Sequence, residues 1–239
     1  MQITVINENI KKISVVIPTL WKGKELALLL PILETIPCIE EIIVINNEPA
    51  NTPSWFKDTT SSKIVEIQQA KNISVNPSWN LGIEQSKAEI VCLLSDDILF
   101  DPAVFNYVSK HFEEENDGPI GPSGIVNHNM LGLSSVQIPS CAQVSLDSTK
   151  PKMPYGWGCL IFVKKADFIP IPPEFLVYFG DEWIWQSHQK RGKTPRTLEN
   201  FVLKTTDHSS TIEIMRSPYY GHEFNIYPQL FPGYLNSIK

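Results

Sequence analysis

Three short, β-branched apolar runs, each stopped by polar residues, do most to limit what this chain can fold into. They are KKISVVIPTL (residues 11–20), IEEIIVINNEP (39–49) and EIVCLLSDD (89–97), and KIVEIQQ (63–69) has the same character. Each has strand length, and none shows the strict alternation of a sheet with one wet face, so the reading is buried strands. Between them lie helical stretches: KELALLLPILETI (24–36), with Pro31 as a potential kink, and SVNPSWNLGIEQSKA (74–88), a loop entering a helix. This β-α-β alternation predicts an α/β fold of Rossmann-like type, with a mainly parallel central sheet flanked by helices. In such sheets ligands gather beyond the carboxyl ends of the strands.

The three strand exits carry Pro18-Thr19, Asn46-Asn47 and Ser95-Asp96-Asp97. Any one of them reads equally as an ordinary polar turn; three on one rim predict a shared crevice. The acidic doublet is the sharpest feature. Adjacent carboxylates beside a core repel each other, and one takes up a proton unless a cation or several donors stabilise both charges. A hard divalent ion, Mg2+ or Mn2+, held by one or two carboxylates and completed by substrate phosphates, answers that need. The competing reading has Asp97 capping the helix near Asp101-Pro102 while Asp96 faces water.

Past Asp101 the pattern changes. PAVFNYVSKHFEEE (102–115) reads as a helix, and 116–140, rich in Gly, Ser, Pro and Asn, reads as loops joining short strands. GWGCLIFVKKADF (156–168) returns to an apolar strand, followed by a proline-rich rim or lid segment, IPIPPEF (169–175). DEWIWQSHQKRGK (181–193) has helix length and a basic end before Gly192. TLENFVLKTTDHSST (197–211) reads as a last strand running into a polar loop, and the aromatic tail from 216 to 239 reads as a wrap or a partner surface.

Two further groups bear on chemistry. Asp181 and Glu182 sit among Phe179, Trp183 and Trp185, where a carboxyl has a raised pKa and can serve as a general base; acids are also favoured in any first helical turn. His208 reads first as a structural or surface residue, with a ligand role as the alternative that gains weight where the acidic doublet holds metal. Tyr155, Trp157 and the aromatics near Trp183 are packing groups by default.

Composition narrows the class. With 42% hydrophobic and 19% charged residues and a net charge of -6, the chain is neither disordered nor a nucleic-acid binder by bulk charge. Cys38, Cys92, Cys141 and Cys159 have no C-x-x-C spacing, as in a reducing compartment. There is no signal-type amino terminus and no run long enough to span a bilayer, so the expectation is a cytoplasmic protein, with peripheral membrane contact left open.

Taken in order, ISVVIPTLWKGKEL, IEEIIVINN, NPSWNLGIEQSKAEIVCLLSDDILF, GDEWIWQSHQKRGK and DHSS resemble the GT-A-fold, family-2 glycosyltransferases over most of residues 12–210. The resemblance implies a single GT-A domain, with a nucleotide-binding half at about 12–100, a smaller mixed acceptor and catalytic half at about 101–215, and the tail beyond. It implies metal-dependent, inverting transfer of a hexosyl or deoxyhexosyl group from a nucleotide sugar, UDP-linked, to a carbohydrate or glycan hydroxyl. Pro18 and Thr19 would border the base, Asn46 or Asn47 would stand where an acid often contacts it, and Asn80 and Gly82 would lie beside the nucleotide. Ser95 and Asp96 would face ribose and metal, with Asp97, Asp96 and His208 as metal ligands, Asp181 or Glu182 as base, and Tyr155, Trp157 or the aromatics near Trp183 as groups to stack on sugar faces where they do not simply pack. Three departures matter: Ser95 for the first acid, Asn for Asp after the second strand, and Asp-Glu for Glu-Asp. Register favours Glu182 as base, and chemistry allows Asp181. Rival readings are a sugar-phosphate nucleotidyltransferase, for which PTLWKGKEL is a poor loop, and a catalytically silent carbohydrate-binding protein on the same fold.

Overall fold

A computed structural model of the chain describes residues 10–112, 115–124, 126–127, 143–150, 152–205 and 218–230. The apolar runs become β1 (Ile13–Thr19), β2 (Ile39–Asn46), β3 (Ile64–Gln68) and β4 (Ile90–Leu94), with α1 (Glu25–Thr35), the short α2 (Ser54–Lys57) and α3 (Val75–Gln85) between them. All five residues of β4 are buried, as expected for a strand covered on both faces. α1 runs through Pro31, which lies on its exposed side.

Beyond Asp101 come α4 (Val104–His111), β6 (Asp117–Pro122), β8 (Ser145–Asp147), β9 (Leu160–Lys164), α5 (Gly180–Lys190), β10 (Thr194–Glu199) and α6 (Pro218–Leu230). Among the described residues one eight-stranded sheet has the order β3-β2-β1-β4-β9-β6-β10-β8. The β1–β2, β1–β4, β2–β3 and β6–β10 pairs are parallel, and β9 runs antiparallel to both β4 and β6. A second sheet joins β5 (Ile98–Phe100), β7 (Val126–Asn127) and β11 (Leu203–Thr205).

Strand alternation divides the core. Val15, Ile17, Cys92 and Leu94 pack with Leu26, Leu29, Leu30 and Leu33 of α1 and Phe105 of α4 on one face. On the other, Val16, Ile43, Val91 and Leu93 pack with Trp79 and Ile83 of α3, Ile184 and Trp185 of α5 and Tyr227 of α6.

The second half departs from expectation in three places. DGPIGP, read as loop, is β6, fully buried between β9 and β10. Its glycines are there for space: a Cβ at Gly121 would lie 2.5 Å from the Trp157 indole nitrogen, and one at Gly118 2.5 Å from the Thr194 backbone. The expected last strand is two strands in two sheets, β10 and β11. The IPIPPEF segment is fastened rather than loose, since Asn80 binds the Ile171 backbone at both amide ends (2.8 and 2.9 Å) and Ile171 and Phe175 are buried.

Gly82 sets how closely α3 approaches β1. A Cβ there would meet Val16 Cγ1 at 2.2 Å, and Val16 is fully buried. Gly82→Ala is therefore expected to destabilise the protein by about 2–3 kcal/mol in urea unfolding, the usual cost of overpacking. Val16→Ala added to it is expected to recover part of the loss, whereas a neutral Gly82→Ala would contradict this packing.

Candidate active site

The strand register brings the exits together. Thr19 pairs with Asn46, and Val16 pairs with Leu93, so three residues farther on Thr19 stands beside the end of β4. Its hydroxyl donates to Asp96 Oδ2 at 2.5 Å, a short charge-assisted bond, and accepts the Trp21 N–H at 2.8 Å. Trp21 is left-handed at φ 59, which turns its indole so that Nε1 donates to Asn46 Oδ1 at 2.8 Å. Trp21 also packs on Phe56, ring centroids 4.7 Å apart.

Asn46 and Asn47 are buried and bonded into the scaffold. Asn46 Nδ2 donates to Thr52 Oγ1 and Glu66 Oε1, both at 2.7 Å. Asn47 Nδ2 donates to Ser78 Oγ at 3.0 Å, and its Oδ1 accepts the Ile73 N–H. An aspartate at 46 would have no proton for these acceptors and would face Glu66, so the amide is required by its neighbours. Asn80 and Gly82 likewise serve α3 packing, the first through Ile171 and the second against Val16.

Asp96 and Asp97 stand at the rim beside a third acid that sequence reasoning passed over. Glu25, in the first turn of α1, is 5% exposed, and its Oε2 has no hydrogen-bond partner. A Cβ placed on Gly23 would lie 2.4 Å from that oxygen, 3.6 Å from the Asp96 carbonyl and 3.7 Å from Asp97 Cα. Burial, then the charges of Asp96 and Glu25, push Asp97 up to about 6. Burial also raises Asp96, against the Thr19 bond that lowers it, with Glu25 adding to the rise. The signal in the sequence was a lone acid opening the helix after the first strand.

Among the described residues no group of three or more His, Cys, Asp or Glu is placed to hold a metal ion by itself. Two half-buried carboxylates with raised pKa, one further carboxylate oxygen left unpaired and an open rim do suit a magnesium-type ion, which takes few protein ligands and completes its shell with phosphate oxygens and water. His208 lies outside the described residues.

The second half reaches the same place through β9. Ser95 N–H donates to the Cys159 carbonyl at 3.0 Å, and the Cys159 thiol is pushed up to about 12 by burial and then by both Asp97 and Asp181. Cys159 is thus tied to the strand end that carries the acidic doublet. Asp181 leans on Gly158, where a Cβ would come 2.4 Å from Asp181 Oδ2. The Glu182 N–H donates to Asp181 Oδ1 at 3.1 Å, and burial followed by the Asp181 charge raises Glu182 well above the usual carboxylate range. Trp157 is fully buried, edge-on to Trp185 at 5.1 Å, so it packs rather than presenting a face; Tyr155 is 84% exposed. Gly158 and Cys159 were invisible as site residues because only the β4–β9 pairing brings them to Asp97.

The chain matches the model of glycosyl transferase family 2 over residues 14–168, a span that includes the acidic doublet and Cys159 but stops short of Asp181 and Glu182. Solved structures share the fold. They include GalNAc-T7 with UDP, GalNAc and Mn2+ (12% identity, TM-score 0.63, covering 84% of this chain and 44% of that one). The mannosyltransferase PcManGT from Pyrobaculum calidifontis, in complex with GDP-Man and Mn2+, aligns at 15% identity and TM-score 0.64, covering 92% and 64%. S. aureus TarS 1-349 aligns at 13% and 0.59, covering 86% and 63%. The chain therefore spans 44% to 64% of the lengths of these three. No curated protein sequence matches it significantly. Among the described residues no helix is long and apolar enough to cross a membrane. The sheet order, the rim and the match over residues 14–168 agree, and the chain belongs to glycosyl transferase family 2, with a GT-A fold.

Proposed function

We propose that this protein transfers a sugar from a nucleoside-diphosphate sugar, UDP-linked, to an acceptor hydroxyl with inversion, using Mn2+ or Mg2+. The observation that supports the proposal is the adjoining pair Gly158-Cys159: the Cys159 carbonyl accepts the Ser95 N–H at 3.0 Å, two residues before Asp97, and a Cβ on Gly158 would lie 2.4 Å from Asp181 Oδ2. Structural neighbours solved with UDP, or with GDP-Man, together with Mn2+ support the donor class.

Asp97 and Asp96 would hold the ion, which when bound supplies Lewis-acid stabilisation of the departing diphosphate. Thr19 orients Asp96 through its 2.5 Å bond. Pro18, Thr19 and the Trp21 segment would border the base, with Asn46 and Asn47 as its floor. Asp181 and Glu182 form the proton acceptor: Glu182 is held protonated to higher pH by burial and its neighbour, and Asp181 is the member that rests against Gly158. As the acceptor oxygen bonds to the anomeric carbon, its proton passes to this pair and the bond to the diphosphate oxygen breaks on the far face, inverting the centre. The exposed Tyr155 would meet the acceptor.

Incubation with UDP-, GDP- and dTDP-sugars and Mn2+, with and without glycan acceptors, tests this reading. Nucleoside diphosphate release, stimulated by an acceptor and yielding the inverted anomer by NMR, is the expected result. Pyrophosphate exchange instead, or sugar binding with no release from any donor, would overturn it.

A further inference from the structure

The loop that launches α5 is held by a carboxylate from the far end of the chain. Glu223 on α6 is fully buried, and it accepts three successive backbone N–H groups. Leu176 donates to Oε1 at 3.0 Å, Val177 to Oε1 at 3.1 Å and Oε2 at 3.3 Å, and Tyr178 to Oε2 at 2.7 Å. Successive amides pointed at one anion form a nest, an arrangement that favours negative charge on the group it encloses. Burial pushes the Glu223 carboxyl up, and the three N–H groups oppose that rise. The same segment is gripped from its other side by α3: the Leu176 carbonyl accepts Asn76 N–H at 3.1 Å, and the Tyr178 carbonyl accepts Asn76 Nδ2 at 2.9 Å.

The next residues of the chain are committed to this clamp. Phe179 is left-handed at φ 60 and stacks on Tyr227 of α6, with centroids 4.5 Å apart. A bulky residue keeps that backbone only where its surroundings over-determine it. Gly180 comes next, with no room for a Cβ because Asn76 Oδ1 would lie 2.1 Å from it. Then come Asp181 and Glu182, and the Trp183 N–H closes the first turn on the Phe179 carbonyl at 2.8 Å. Glu223, Asn76 and Phe179 therefore leave the start of α5 a single position relative to β9.

We propose that Glu223 is a positioning residue for the acidic pair: through residues 176–179 it fixes where Asp181 and Glu182 stand against Gly158 and Cys159. The proposal rests on the glycosyl-transfer reading for its kinetic consequence, while its structural half stands apart from it. A carboxylate is needed because an amide nitrogen in its place would point donors at donors.

Glu223→Gln, nearly isosteric, is compared with Tyr227→Phe, which removes the 2.7 Å bond from Gln186 to the same helix and leaves the nest whole. Amide hydrogen exchange is measured by NMR, the dissociation constant is measured for UDP with Mn2+, and kcat is measured with whichever donor the wild type turns over. In Glu223→Gln, exchange at 176–178 and at Trp183 is expected to accelerate together by at least ~10-fold, the scale of one lost charged hydrogen bond. kcat is expected to fall by at least ~10-fold, with the UDP constant within about 2-fold of wild type. Tyr227→Phe should keep kcat within about 3-fold, since the acidic pair keeps its place. Faster exchange at 176–178 with Trp183 unchanged, an unchanged kcat in Glu223→Gln, or equal kcat losses in both variants would overturn the proposal. Should Glu223→Gln not fold, Glu223→Asp, which retracts the charge by one methylene, is read in the same way. If the wild type turns over no donor, glycosyl transfer has failed, and the Trp183 exchange alone decides whether Glu223 positions α5.

Discussion

Asp97→Asn is expected to raise the dissociation constant of UDP measured with Mn2+ by at least ~100-fold in calorimetry, a loss of about 2.7 kcal/mol. The same substitution should make the ligand-free protein more stable. Folding pushes the Asp97 pKa up to about 6 through burial and the charges of Asp96 and Glu25, so the native state holds this proton more tightly than the unfolded chain does. The stabilisation this gives is fully present below the unfolded value, near pH ~4, and is lost as pH rises through about 6. About two pK units correspond to about 3 kcal/mol, of which solvent at the rim screens a part. Thermal melts without metal should therefore fall between about pH 4 and pH 7 for wild type and fall less for Asp97→Asn. Mn2+ should raise the wild-type Tm more at about pH 7.5 than at about pH 5. Unchanged UDP binding in Asp97→Asn would remove the metal assignment, and a variant that melts below wild type at the higher pH would show that the three acids do not strain the fold.

The second large effect concerns proton removal. Asp181→Asn and Glu182→Gln are each expected to bind UDP and Mn2+ within about 3-fold of wild type, while kcat falls by about 10^3 in at least one, the scale of a lost general base. Their pH profiles should differ. Removing the Asp181 charge takes away one cause that raises Glu182, so any residual activity of Asp181→Asn should gain its acidic limb at lower pH than wild type. Full turnover in both variants would put the base elsewhere.

How far the sequence disclosed this arrangement depends on how local each feature is. β1, β2 and β4 were legible because a strand covered on both faces needs an unbroken apolar run, and their polar exits were legible as one rim because parallel strands end on the same side. The short bond from Thr19 to Asp96 is a consequence of that register. β6 was hidden because Gly118, Pro119, Gly121 and Pro122 look like turn residues, whereas the glycines answer to Trp157 and Thr194, which lie far away in sequence. Glu25, Cys159 and Glu223 were hidden for the same reason: what each does is decided by a neighbour on another element. Asn46 reads as a lost acid until Thr52 and Glu66 are seen to require donors from it.

β9 enters the sheet against the grain, and the make-up of the rim follows from it. Thr19, Asn46 and Asp96 sit where strands leave the sheet, but Gly158 and Cys159 sit where a strand arrives, because reversing its direction brings its beginning to the same rim. A change of length in the chain that precedes β9 thus leaves the register of β4 with β1, and with it the acids at the end of β4, in place.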